Sequence, residues 1–253
     1  MLSEPIFLNV HMYGIMVAIG ILCAFVILLW ILKKKQIEPK FIDFLFYNGL
    51  ISIAAGFCFA ALFQAIYDYI SNPDAGFHFN GGLTFIGGLV GGVLCFLVIY
   101  CIFRNKYTTR LYEVISIFPC SILIAHALGR IGCFFAGCCY GKETNSIFGI
   151  QFPGLTHPVH PTQLYEAVFL FLLCAVYVYL IVKRDFKYNM SLYLITYGIF
   201  RFLIEFIRGD ERGSFIGVLT PSQFWSVVMI ITGICVFFVM QKNSRRKDDE
   251  KIL

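Results

Sequence analysis

Of the 253 residues, 59% are hydrophobic and only 14% are charged, against the roughly 25% charged residues of an ordinary soluble domain. A chain solvated by water on all sides is excluded. The net charge of +5 does not indicate a nucleic-acid partner, because the basic residues are placed as a membrane places them.

The first apolar run extends from Tyr13 to Leu32 and is followed, not preceded, by Lys33, Lys34 and Lys35. With no small-residue cleavage site after it, it reads as a retained span and not as a signal peptide. Six further apolar runs follow, near 43–66, 81–103, 112–135, 162–182, 189–207 and 221–240. Each is long enough for a hydrocarbon core of about 30 Å, and in lipid such segments satisfy their backbone as helices. The expectation is an all-α, polytopic membrane protein of seven helices: one transmembrane domain, with a basic tail over 241–253 and no sizeable soluble domain.

Between the spans, basic residues gather in alternate loops: Lys33 to Lys35 with Lys40, then Arg104, Lys106 and Arg110, then Lys183, Arg184 and Lys187. Lys242, Arg245, Arg246, Lys247 and Lys251 follow the last span. The excess of cytoplasmic positive charge in membrane proteins then puts the N-terminus outside and the C-terminus in the cytoplasm. The turn SNPDAGFHFN and the loop 141–160 fall outside. So do the remaining basic residues Arg130, Lys142, Arg201, Arg208 and Arg212, all toward the outer side.

The third span contains GGLTFIGGLVGG, residues 81–92, with glycines at four-residue spacing. Close helix packing through small residues explains it; an approach of lipid headgroups to bare backbone is the other reading. Of the ten cysteines, Cys23, Cys58, Cys95, Cys101, Cys120, Cys174 and Cys235 lie in apolar runs and read as small hydrophobes.

Charges inside spans need a partner or a purpose, since an arginine at mid-membrane costs at least about 2.5 kcal/mol. Arg201, Glu205 and Arg208 are spaced to share one helical face. They form either a structural ion-pair ladder or an anion site in which forked guanidiniums grip a phosphate. His126, four residues before Arg130, projects from the same side of its helix. It is either a satisfied core residue or a neutral imidazole able to accept a proton. HPVHPTQLYEA, 157–167, starts the fifth span with Pro161 near the first turn and with His160, Gln163, Tyr165 and Glu166 as polar anchors. Cys133, Cys138 and Cys139, with His157 and His160, have the spacing C-x4-C-C…H-x2-H, which does not match paired zinc patterns. No metal and no cofactor is expected; a redox pair Cys138–Cys139 and plain packing are the other readings of the thiols.

GRIGCFFAGCCYG, 129–141, resembles the signature segment of bacterial phosphatidylglycerol–prolipoprotein diacylglyceryl transferases. HPTQLYEA resembles their second motif, YGIFRFLIEFIR (197–208) their third, GGLTFIGGLVGG their glycine-rich span, and Tyr13-Gly14 a tyrosine-glycine of the first span. The resemblance implies transfer of the diacylglyceryl group of phosphatidylglycerol to the lipobox cysteine thiol of a secreted preprotein. It implies a site facing the outer leaflet of the bacterial cytoplasmic membrane. Arg130 and Arg201 match the family's key arginines, and Tyr13, Tyr197, Glu205, Arg208 and Gly141 match further positions. His160, Cys133 and Cys138 are grouped with them as substrate-binding. Three positions depart from the pattern: Ile86 replaces a histidine, Cys133 an asparagine and Cys138 a glutamate. With Ile86 unable to act as a base, His126 is expected to supply one. The competing readings are an enzyme on the same scaffold with another acceptor or phospholipid, and a lipid or anion transporter. Transport favours charges spread through the membrane depth, whereas these lie on one side.

Overall fold

The computed structural model describes residues 11–79, 81–209 and 219–252; Arg212 lies outside them. Among the described residues eight α-helices run in chain order: α1 Met12–Lys34, α2 Pro39–Ser71, α3 Phe85–Phe103, α4 Leu111–Val114, α5 Phe118–Ala136, α6 Thr162–Arg184, α7 Asn189–Ile204 and α8 Pro221–Ile252. Short 3-10 turns occupy Pro73–Ala75, Arg104–Lys106 and Glu205–Ile207. All but α4 are long and apolar enough to cross a membrane, seven candidate spans among the described residues, which contain no strand. Large apolar side chains cover their outer faces; Leu22, Ile70 and Leu172 are each more than 60% exposed. Hydrocarbon is the solvent that makes such a surface favourable.

Local chemistry sets the boundaries. Pro39 and Pro221 open α2 and α8 where a missing N–H costs nothing. The apolar stretch from residue 112 divides into α4 and α5, because Pro119 belongs in a first turn and starts α5 there. Gly137, at φ +68° in the left-handed region, ends α5, its N–H returning to the Cys133 and Phe134 carbonyls. The helix α8 continues through the basic tail to Ile252.

The chain forms two compact units, Leu32–Glu113 and the remainder. In Leu32–Glu113, α2 packs on α3 along the glycine stripe. A Cβ on Gly87 would stand 2.6 Å from Phe63 Cβ, and one on Gly88 would stand 3.3 Å from the Gly56 carbonyl oxygen. Asn48 Nδ2 donates to the Phe96 carbonyl across the same seam (3.1 Å). Side chains and backbone of α2 therefore fill the stripe, as close packing requires.

In the other unit α5 packs on α6 and α7 on α8. Gly20 of α1 lies against the Ala125 backbone of α5, and Gly233 of α8 against Leu194 and Ile195 of α7. Buried Leu123, Ala127, Leu170, Tyr177 and Ile204 make its core. The functional side chains sit at one end of these helices.

Candidate active site

Glu166, four residues into α6 and 1% exposed, is where the buried polar groups converge. Its Oε2 lies 3.0 Å from Arg130 Nε of α5, and its Oε1 accepts from the Tyr197 hydroxyl of α7 (2.7 Å). His126 Nε2 is 3.5 Å from the same Oε1 and accepts from Arg130 Nε at 3.3 Å. The i,i+4 spacing of His126 and Arg130 puts them together as expected, and the His126 ring meets Tyr197 edge-to-face. Arg130 and His126 keep 18% and 28% of their side chains exposed, so the network is reached from their side.

A second cluster forms where α7 tightens into Glu205–Ile207. Arg201 Nη2 bridges Glu205 Oε2 at 2.9 Å and donates to Ser222 Oγ of α8 at 2.7 Å. Thr220 Oγ donates to Glu205 Oε1, and Arg208 Nε lies 3.9 Å from Glu205 Oε2. The shared helical face of Arg201, Glu205 and Arg208 is thus realised. Arg201 Nη1 is buried and has no hydrogen-bond partner among the described residues. Across both clusters, the guanidiniums of Arg130, Arg201 and Arg208 gather around the carboxylates of Glu166 and Glu205.

Gly141 stands at the crossing of the loop with Arg208. Its N–H donates to the His160 carbonyl (2.8 Å), Lys142 N–H donates to the Ile207 carbonyl (2.8 Å), and Gly141 pairs with Arg208 as an isolated bridge. A Cβ at 141 would meet the Ile207 oxygen at 2.5 Å and the His160 and Thr162 side chains at 2.8 Å. Only glycine fits this seam. His160 serves it through its backbone, while its ring Nδ1 is 3.2 Å from the Tyr165 hydroxyl.

Between Gly137 and Gly141 the chain turns sharply, with Cys139 at φ +64°. Gln163 Nε2 donates to the Cys138 carbonyl, and Thr162 Oγ donates to that of Cys139 (2.9 Å). Phe152, 2% exposed, packs on Phe134 and Tyr140 beside the turn. These anchors draw Cys133, Cys138 and Cys139 together, their sulfurs all within 4.8 Å of one another. The Cys139 thiol is held well below the ordinary range, first by hydrogen bonds with Cys133 and Cys138, then by the Arg208 guanidinium. Tyr13 packs on Gly132 and is within electrostatic reach of Arg130 and these thiols.

The residues expected to act together, Tyr13, His126, Arg130, Cys133, Cys138, Gly141, His160, Tyr197, Arg201, Glu205 and Arg208, lie in one compact unit, with Gly141 and His160 contributing backbone to its seam. Ile86 is an exposed residue of α3, in the other unit. Sequence reasoning assigned Glu166 only a polar anchoring role and missed it as the shared partner of Arg130, His126 and Tyr197. The available signal was a carboxylate one turn inside an apolar helix, a placement costly in lipid without a cationic partner.

The family model of prolipoprotein diacylglyceryl transferase matches residues 2–239. The chain is 35% identical over 246 residues to the phosphatidylglycerol–prolipoprotein diacylglyceryl transferase of Clostridium tetani, covering 93% of this chain and 95% of the relative. It is 33% identical over 260 residues to phosphatidylglycerol–prolipoprotein diacylglyceryl transferase 2 of Clostridium perfringens, covering 99% and 98%. The phosphatidylglycerol–prolipoprotein diacylglyceryl transferase of Finegoldia magna is 32% identical over 253 residues, covering 96% of each. The chain belongs to the prolipoprotein diacylglyceryl transferase family.

Proposed function

We propose that this chain transfers the diacylglyceryl group of phosphatidylglycerol to the lipobox cysteine thiol of a prolipoprotein, in the bacterial cytoplasmic membrane and at its outer leaflet. The observation that carries the reading is the buried guanidinium of Arg201, with an N–H lacking a partner among the described residues. A desolvated donor so placed suits a phosphodiester, and its attraction strengthens as the leaving phosphate gains charge.

In the reaction the acceptor thiol loses its proton and the sulfur attacks the glyceryl carbon esterified to phosphate. A C–S bond forms, the C–O bond breaks, and glycerol phosphate departs with the electron pair. Arg130, Arg201 and Arg208 hold the phosphate, and Glu166 and Glu205 orient them. His126 is the base: its Nε2 accepts from Arg130 in the resting arrangement, so that nitrogen carries a lone pair and no proton. Tyr13 stands at the entrance beside Arg130, and Tyr197 fixes Glu166. The outward orientation is supported by the loop charges, with the basic loops of the other side facing the cytoplasm.

Purified protein with labelled phosphatidylglycerol and a lipobox peptide is expected to label that peptide but not its cysteine-to-serine counterpart. Lipid binding without transfer to the cysteine peptide would move the reading to another acceptor. His126→Ala is expected to lower kcat by about 10²-fold or more, the usual contribution of a general base, with lipid binding retained. Full activity in His126→Ala beside an inactive Arg130→Ala would remove His126 from the mechanism.

A further inference from the structure

We propose that Cys133, Cys138 and Cys139 form a binding site for one thiophilic, closed-shell metal cation of the zinc type, at the rim of the arginine cluster. The inference goes beyond the transfer reading and does not rest on it: the reaction as written assigns no step to the three sulfurs.

The geometry is that of a nearly assembled site. The three sulfurs lie within 4.8 Å of one another. Zinc–sulfur bonds of about 2.3 Å in a tetrahedral arrangement hold sulfurs about 3.8 Å apart, so closure by about an ångström or less suffices. The backbone is already fixed for this. Cys133 belongs to the last turn of α5, Gly137 reverses the chain, and Cys139 occupies the left-handed region. The first two side chains of α6, Thr162 and Gln163, hold the carbonyls of the cysteine pair. Little ordering remains to be done when a cation arrives.

The donor set decides the kind of cation. Sulfurs without carboxylate or imidazole in the group select zinc, cadmium or copper(I) over magnesium or calcium. Binding forms three metal–sulfur bonds and releases to solvent the protons that the thiols still carry; no electron changes hands. With a dication the site then carries one negative charge, which Arg208, in contact with Cys139, and Arg130, within reach of Cys133, offset. Three protein ligands leave a fourth coordination position for water or an incoming thiol.

The test uses the full chain in detergent, stripped of metal and kept reduced with a phosphine. Zinc is expected to bind at one equivalent, and cobalt(II) in its place to give intense sulfur-to-metal charge-transfer absorption. Changing Cys133, Cys138 or Cys139 to serine should weaken binding by more than the roughly tenfold loss seen for an outer-shell partner, while Cys58→Ser and Cys235→Ser leave it unchanged. In the unmutated protein, zinc should shield these three cysteines from maleimide, read by peptide mass. No charge-transfer band, a band that persists in the triple serine variant, or unshielded thiols in the unmutated protein would each overturn the proposal.

Discussion

Glu166 illustrates how one carboxylate ties its own helix to groups from two others. It is buried against Arg130, His126 and Tyr197, and a buried ion pair that loses one partner costs about 3–5 kcal/mol because the other charge stays desolvated. Arg130→Gln is therefore expected to lower the thermal unfolding midpoint in detergent the more, since it strands the fully buried Glu166 carboxylate, and Glu166→Gln to do so less, since the Arg130 left behind is partly exposed. The double variant should recover part of the midpoint, because no lone charge remains, yet stay inactive in the peptide assay. Additive losses instead of recovery would show that the two side chains do not act as a pair. The separate Arg201 cluster gives a complementary expectation. Arg201→Lys keeps the charge and loses the planar fork, so transfer should fall by about 10²-fold, measured as kcat with saturating lipid.

At the level of helices and loops, the glycine stripe makes a sharp prediction. Gly87→Leu would push into Phe63 and part α2 from α3, at a cost of about 1–3 kcal/mol for overpacking. Gly129→Ala meets nothing within 4 Å and is expected to be neutral or slightly stabilising, as alanine is in a helix. Unfolding midpoints of the two variants check the contrast. A second expectation concerns the junction of residues 104–110 with Glu38. Thr108 Oγ donates to the Glu38 carboxylate (2.6 Å), as do the Thr108 and Thr109 amides. These bonds, the Thr108 hydroxyl foremost, hold the carboxyl below its usual range. A lowered folded-state pKa means the contribution is complete above the unfolded value, about 4.3 for glutamate, and fades as pH falls through the folded one. Amide exchange at Thr108 and Thr109 should quicken only in acid, and Glu38→Gln should abolish that dependence.

These elements also show what was legible in the sequence. Spacing alone put His126 with Arg130 and Glu205 with Arg201, because partners on one helix follow its period. Glu166 was misjudged because its partners come from α5 and α7, and no local period reports a contact between helices. The division at Pro119 was written in the chain but hidden by continuous apolarity. The meeting of the three thiols depends on a left-handed residue, Cys139, that is not glycine, which spacing does not announce.

For the molecule as a whole, the prediction is topological. Fifteen of the twenty basic residues lie in loops assigned to one side or in the tail, so a reporter active only in the cytoplasm should work when fused after residue 253 or in the loop 185–188. A membrane-impermeant reagent should reach a cysteine placed at Ile147, which is 93% exposed, from outside the cell. The opposite labelling pattern would invert the molecule and remove the outer-leaflet assignment.

The stitched loop carries one more consequence. Gly141 and Lys142 are clamped to His160 and Ile207, and Ile150 is paired with Val159, whereas the tip between them at Ser146 to Phe148 is exposed. A protease nick at that tip would cut no strut, so the two fragments should co-purify and stay assembled. Co-expressed as separate genes divided there, they are expected to find each other and rebuild a working protein.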